Sequence, residues 1–268
     1  MDRLRQLVQT EASSLLAMKP YTSGARLHYY LRRNPASSLH WSLRCQSVAV
    51  STEQGLGHWL RNKPWTGEHP RALIAARQIR AHGQGERIWQ SPRGGVWISA
   101  ALPWPRRSHS VALFGLIVAL ALAERLEQHG LPVRIKWPND LVVGSRKLAG
   151  LLPSLVHRGN NLRLARIGLG MNVVNPVPAE GVALVQLLPQ VLACPEAWAV
   201  EVLLALEHAI LLSRCSVVWL REQIESRLWS TEVQDPESHE IWAITGISDL
   251  GELRLQRENR HRSWTRWC

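Results

Sequence analysis

Lys136 and Asp140 flank the turn-forming run Trp137-Pro138-Asn139, and Lys147 follows just before Leu148-Ala149-Gly150. The turns bring these two ammonium groups and the carboxylate into one neighbourhood, where an ammonium can hold an anionic substrate. Only four of the 32 Lys plus Arg residues are lysines, and two of those four lie in this one stretch. For solubility alone an arginine would serve as well. A compact ammonium on a flexible stem can follow a carboxylate or phosphate through a reaction as a planar guanidinium cannot. The plainer alternative is a polar β-hairpin carrying solvated lysines.

Further groups with chemical potential are spread along the chain. Ser51-Thr52 close a short apolar run, where their hydroxyls can cap the next helix or meet a ligand. Residues 80–95 are rich in Gly and Arg, a composition suited to wrapping phosphates with backbone N–H groups and guanidinium forks. The alternative is a solvated surface loop. A run through 162–169 ends in Gly168-Leu169-Gly170-Met171-Asn172, where glycines allow close backbone approach, either to a ligand or for packing alone.

Several elements must position these groups. Residues 133–137, 141–143 and 146–152 are expected as strands joined by turns at 138–140 and 144–145. Strands are also expected at 47–50, 72–76, 96–102 and 162–169. A nearly all-apolar helix starts from a Ser108 or Ser110 cap, runs to about Gln128 and stops at Gly130. Two more helices are expected at 196–213 and 217–228. Short strands at 232–235, 241–245 and 252–256, with Gly246 and Gly251 in turns, predict a small β-barrel. Residues 1–19 have the spacing of an amphipathic helix, and 20–42 remain unassigned.

A chain of 268 residues with 46% hydrophobic and 20% charged residues is ordinary for a globular protein, apart from 13 Trp against one Phe. Its formal charge of +11 favours polyanionic company: nucleotide phosphates, nucleic acid or an acidic protein. The tail interleaves Arg254, Arg257, Arg260, Arg262 and Arg266 with Trp264 and Trp267, a pattern that could stack on single-stranded nucleic acid. The four cysteines show no zinc or disulfide spacing, so free thiols in a reducing cytoplasm are expected. No metal-ligand set is expected. The most apolar run, 111–123, is too short to span a membrane.

The segments at 136–141 and 147–150 closely resemble the signature of the biotin–protein ligases, with Lys-Trp-Pro-Asn-Asp-Leu and Lys-Leu-Ala-Gly intact. The resemblance covers about residues 43–256. It implies an α/β (α+β) fold, a mixed β-sheet backed by helices, with a small C-terminal SH3-like β-barrel. The expected division is an unassigned extension at 1–42, a catalytic domain at 43–228 and the barrel at 229–268. Many members carry a DNA-binding helix-turn-helix ahead of the catalytic domain; none is expected within 1–42.

The implied reaction has two steps: biotin and Mg-ATP give biotinyl-5′-AMP, which then acylates a lysine of the biotin carboxyl carrier protein of acetyl-CoA carboxylase. The resemblance makes Lys147, Asp140 and Arg87 catalytic. It assigns Ser51, Thr52, Gln78, His82, Gly83, Gln84 and Lys147 to biotin, and Arg80, Arg87, Trp89, Asn139 and Asn172 to the nucleotide. Two departures stand out. Glu53 occupies a place where Asn is usual, and Ala81, His82, Gln84 and Glu86 replace Gly, Arg, Arg and Gly in the loop that closes over the ligand. The implied setting is the cytoplasm, with a homodimer left open. The alternatives are a lipoate or octanoate ligase or transferase of the same superfamily, and a non-catalytic regulator that binds biotin or its adenylate.

Overall fold

The computed structural model describes residues 34–105 and 111–265, together with Leu27 and Leu31; the helix expected at 1–19 lies outside the described residues. Its frame is a seven-stranded sheet in the order β1-β2-β3-β7-β6-β5-β4. The strands are β1 (Ser42–Gln46), β2 (Arg71–Ala75), β3 (Val96–Leu102), β4 (Val133–Lys136), β5 (Asp140–Val143), β6 (Arg146–Arg158) and β7 (Asn161–Met171). β1 and β2 are parallel and every other neighbouring pair is antiparallel, so the sheet is mixed, as expected.

One row of register partners crosses the whole sheet: Gln46, Ala75, Trp97, Gly170, Gly150, Asp140 and Lys136. A second row on the same face runs Arg44, Leu73, Ser99, Gly168 and Leu152. Because side chains alternate between faces, these residues share the front of the sheet. Ile74, Ile98, Ile167 and Leu169 point to the back. There they join the main core with α2 (Phe114–Glu127) and α3 (Pro195–Leu212), whose nearly all-round apolar surfaces require burial. On the front, α1 (Thr52–Asn62) lays Leu56 and Trp59 on Leu73 and Ala101. It covers β2 and β3 and leaves β7, β6 and β5 as the floor of a cleft.

Several elements differ from the sequence-based expectation. The first strand lies at 42–46. The apolar run at 47–50 contributes only a bridge from Ala49 to Gln78, with Val48 and Val50 turned outward. α2 begins at Phe114 from Leu113, which makes no side-chain cap; Ser108 and Ser110 lie outside the described residues. Gly130 does end that region, with φ 78°. The last helix, α4 (Val217–Glu225), stops early because the chain peels away to cover the free edge of β4. Ile135 N donates to Arg227 O and Trp229 N donates to Ile135 O.

The C-terminal unit is an antiparallel meander of β8 (Glu232–Gln234), β9 (Ile241–Ile247), β10 (Leu253–Arg257) and β11 (Arg260–Trp264), consistent with the barrel-like unit expected. The polar fourth strand was not expected. Gly246 lies within β9 at φ 140°, because the Glu225 carboxylate occupies the place of a side chain there. Trp242, Leu253, Leu255 and Trp264 are continuous with the main core.

The tail does not present an open stacking platform. Arg260 and Arg262 lie over the Trp242 ring, Arg257 and Arg260 pair with Glu240, and Arg262 pairs with Asp235. Trp264 is buried, and Arg266 and Trp267 lie outside the described residues. Among the described residues, no helix is long and apolar enough to cross a membrane.

Candidate functional site

Lys147 reaches the cleft through a β-bulge. Leu141 pairs with Ala149 but Val142 pairs with Lys147, so Leu148 is an extra residue on β6. Without it, Lys147 and Gly150, three positions apart, would face opposite sides of the sheet; the bulge returns Lys147 to the front. Its backbone is fastened by Lys147 N to Glu180 O (2.8 Å) and Val182 N to Lys147 O (2.9 Å). The ammonium then stands 2.7 Å from Asp140 Oδ1, with both side chains partly exposed. It also lies 4.8 Å above the centre of the Trp89 ring.

Trp89 in turn lies on glycine. A Cβ at Gly170 would stand 2.6 Å from its Nε1, and one at Gly150 would stand 3.0 Å from its ring. The ring packs edge-on against Trp97, centroid to centroid 6.5 Å. Glycines at 150 and 170 are therefore required by the flat ring above them, which settles the choice the sequence left open.

A polar network closes the other end of the cleft. Thr52 donates to Gln78 Oε1 through its N–H (2.7 Å) and its hydroxyl (3.0 Å), and Ser99 Oγ donates to Thr52 Oγ1 at 2.8 Å. Gln78 Nε2 donates to Ser91 Oγ at 3.1 Å, and Ser91 donates to Trp89 O. This chain of bonds ties α1, β3 and the loop carrying Trp89 together. Ser51 is the N-cap of α1, its Oγ accepting from Gln54 N, so this hydroxyl serves the helix end.

The loop at 80–90 folds as a small hairpin. Trp89 N donates to Ala81 O, Gly83 N donates to Arg87 O, and His82 bridges Ile88. Gly85 turns the tip at φ 61°. Arg80, His82, Gln84 and Arg87 are exposed, and among the described residues no ion pair or side-chain hydrogen bond holds them.

Asn139 and Asn172 have local work. Asn139 Nδ2 donates to Leu151 O, and Asn172 accepts from Asn175 while donating to Lys147 O. Lys136, expected beside Lys147, lies instead over the Trp229 ring at 4.9 Å. Among the described residues no three His, Cys, Asp or Glu side chains group to hold a metal.

The structure thus brings together Thr52, Gln78, Trp89, Asp140 and Lys147, and leaves the hairpin cations outside. Ser99, Ser91 and Arg166 were not among the expected residues. Ser99 carried a usable signal as the one hydroxyl in the otherwise apolar β3. Arg166 Nη2 donates to Ser154 Oγ and stands 3.4 Å from Glu53 Oε1.

Residues 49–172 match the sequence model of the Biotin/lipoate A/B protein ligase family. The chain is 35% identical over 105 residues to the bifunctional ligase/repressor BirA of Escherichia coli (strain K12), covering 38% of this chain and 32% of that protein. It is 33% identical over 108 residues to the chloroplastic biotin–protein ligase 1 of Arabidopsis thaliana, covering 38% of this chain and 29% of that protein. The chain thus spans about a third of the length of these curated relatives. In fold it is similar to the biotin protein ligase of Aquifex aeolicus in complex with biotin and ATP, with TM-score 0.64 and 22% identity over 84% of this chain and 96% of that one. The Leishmania major biotin protein ligase bound to biotinyl-5-AMP gives 0.55 and 20%, over 84% and 99%. The matched segment holds Thr52, Gln78, Trp89, Asp140 and Lys147, while the small C-terminal sheet lies beyond it.

Proposed function

We propose that this protein is a biotin–protein ligase, which forms biotinyl-5′-AMP from biotin and ATP and passes the biotinyl group to a lysine of a carrier protein. The observation that carries the reading is the placement of the Lys147 ammonium, 2.7 Å from Asp140 and over Trp89, at one end of a cleft whose other end is the Thr52–Gln78–Ser99 network. A ligand with a polar head, an apolar middle and a carboxylate tail matches that sequence of surfaces.

Lys147 would exchange Asp140 for the ligand carboxylate and stay with the negative charge that grows on the α-phosphate oxygens. Such preorganised charge, aimed at where the transition state develops it, is a large catalytic contribution. Release from Lys147 leaves Asp140 free to accept from the acceptor lysine and orient its amine. Arg87, with Arg80 and His82, would reach the phosphates from the exposed hairpin, and Gly83 and Gln84 would cover the biotin. Asn139 and Asn172 would hold the nucleotide side through the backbone they fasten. Mg2+ belongs with the ATP phosphates, which usually supply much of its coordination. The acceptor would be the biotin carboxyl carrier protein of acetyl-CoA carboxylase, in the cytoplasm, and the net positive charge would steer an acidic carrier domain to the cleft.

The test is transfer of radiolabelled biotin, with Mg-ATP, to a purified carrier domain, using Lys147→Ala as control. Label that reaches the carrier and falls by about 100-fold or more in the variant is expected. Tight biotin binding without transfer would replace the reading by a regulator. Transfer of octanoate or lipoate in its place would move the chain to the other branch of the superfamily.

A further inference from the structure

Lys136 and Asp140 are register partners on β4 and β5 and share the front of the sheet. Side chains directly opposite on neighbouring antiparallel strands have Cβ atoms about 5 Å apart, so opposite charges placed there ordinarily pair. Here they do not. Asp140 takes Lys147 at 2.7 Å, and the Lys136 ammonium turns away to lie 4.9 Å over the Trp229 ring.

Trp229 is fixed in place from two strands and a turn. Its N–H donates to Ile135 O at 2.9 Å, and its Nε1 donates to Gly144 O, between β5 and β6, at 2.8 Å. Two residues earlier, Arg227 O accepts from Ile135 N while the guanidinium grips the Glu127 carboxylate of α2. Yet Trp229 is 40% exposed, so core packing does not account for an indole at this position. What the ring does offer is a negative π-face to an ammonium.

In the ligase reading above, Lys147 leaves Asp140 for the ligand carboxylate, and Asp140 then accepts from the acceptor amine. At that moment Lys136 is a rival cation. Rotation about its side-chain torsions carries its ammonium from the ring to the carboxylate opposite. A lysine seated there would occupy the oxygens that the incoming amine needs.

We propose that Trp229 is a positioning residue of the transfer step: its ring holds the Lys136 ammonium off Asp140, so that the carboxylate released by Lys147 stays open to the acceptor lysine. This rests on the ligase reading above and adds a residue from outside the matched segment, on the connection between α4 and β8. The adenylation step does not use a free Asp140, so the two half-reactions respond differently to loss of the ring.

The experiment reads each half-reaction of the full chain separately. Biotin-dependent exchange of pyrophosphate into ATP measures adenylate formation. Transfer from preformed, labelled biotinyl-5′-AMP to a subsaturating carrier domain measures the second step. Trp229→Leu keeps an apolar side chain at this place and removes the π-face. Transfer is expected to fall about fivefold, with exchange within about twofold of wild type. Trp229→Phe keeps a ring but loses the bond to Gly144, and should transfer within about twofold of wild type. Adding Lys136→Met to Trp229→Leu removes the rival cation and should restore transfer. A loss that persists in the double variant is structural and overturns the proposal, as does an equal loss in both half-reactions. If Trp229→Leu does not fold, Lys136→Met alone decides. It should leave both half-reactions within about twofold, because the ring already keeps that ammonium idle; a larger fall in either overturns the proposal. Wild-type protein inactive in both half-reactions refutes the ligase reading and this inference with it. Active wild type with transfer unchanged in Trp229→Leu refutes the role of Trp229 alone.

Discussion

Gly170→Ala puts the support of Trp89 to the test. The new Cβ would stand 2.6 Å from Trp89 Nε1 and 2.8 Å from Cε2, whereas ordinary carbon contacts lie near 3.5–4.0 Å, so the ring must rise by about 1 Å. Trp97 blocks one edge of the ring and the Lys147 ammonium lies 4.8 Å over its face, so the displacement is handed to Lys147. Overpacking of this kind costs about 1–3 kcal/mol. For a chain of this size about 2 kcal/mol lowers Tm by roughly 5 °C. Activity should suffer more, because about 1 Å of misplacement at a reacting centre can cost on the order of 100-fold. Biotin-dependent exchange of pyrophosphate into ATP is expected to fall by about 10–100-fold. The decisive measurement is a stability cycle with Trp89→Ala, measured by urea unfolding. Once the ring is gone, the methyl group at 170 has nothing to strike, and a coupling of about 2 kcal/mol should appear between the two positions. Additivity within about 0.5 kcal/mol would refute the argument that the glycine exists for the ring.

Glu207 is buried in α3 and accepts from Ser37 Oγ (2.9 Å), Ser38 N (2.8 Å) and Trp41 Nε1 (2.8 Å), so Glu207→Gln should cost about 2–3 kcal/mol in urea unfolding while leaving pyrophosphate exchange unchanged. At Glu201, burial pushes the carboxyl pKa up, but the hydrogen bond from His129 and the charge of Arg125 at 2.5 Å outweigh it and hold the pKa below its ordinary 4.5. A depressed carboxylate stabilises the fold above the unfolded-state pKa and loses that contribution as pH falls through the folded value. Urea midpoints should therefore drop as pH is taken below 4.5, and Glu201→Gln should be weaker at neutral pH with a flatter acid limb. Burial also raises the thiols of Cys45 and Cys194 to about 11, so at pH near 8 a thiol reagent should modify exposed Cys215 well before either of them, as read by peptide mapping.

Much of the frame is local and was legible from residue order. The continuous apolar run of β3 was placed at its observed bounds, because a strand buried on both faces needs no alternation. The hairpin around Pro138 and the apolar helix α3 were likewise plain, since turn chemistry and a long apolar run leave little choice. By contrast, the run at 47–50 has strand composition yet forms only an isolated bridge at Ala49, because its neighbours there are loop residues. β11 has almost no apolar content; it exists because β10 offers it a ladder and Trp242 and Asp235 receive its arginines.

The candidate site divides in the same way. The family resemblance of short segments named Lys147, Asp140, Trp89, Thr52 and Gln78. Only the tertiary structure decided which of them meet. The bulge at Leu148 turns Lys147 toward Asp140, while Lys136 is drawn to Trp229, 93 positions away. Ser99, Gly168 and Glu53 come from three distant segments, and their meeting depends on strand register and the seating of α1. Such contacts are set by how faces pack, and that information is carried by no single stretch of the chain.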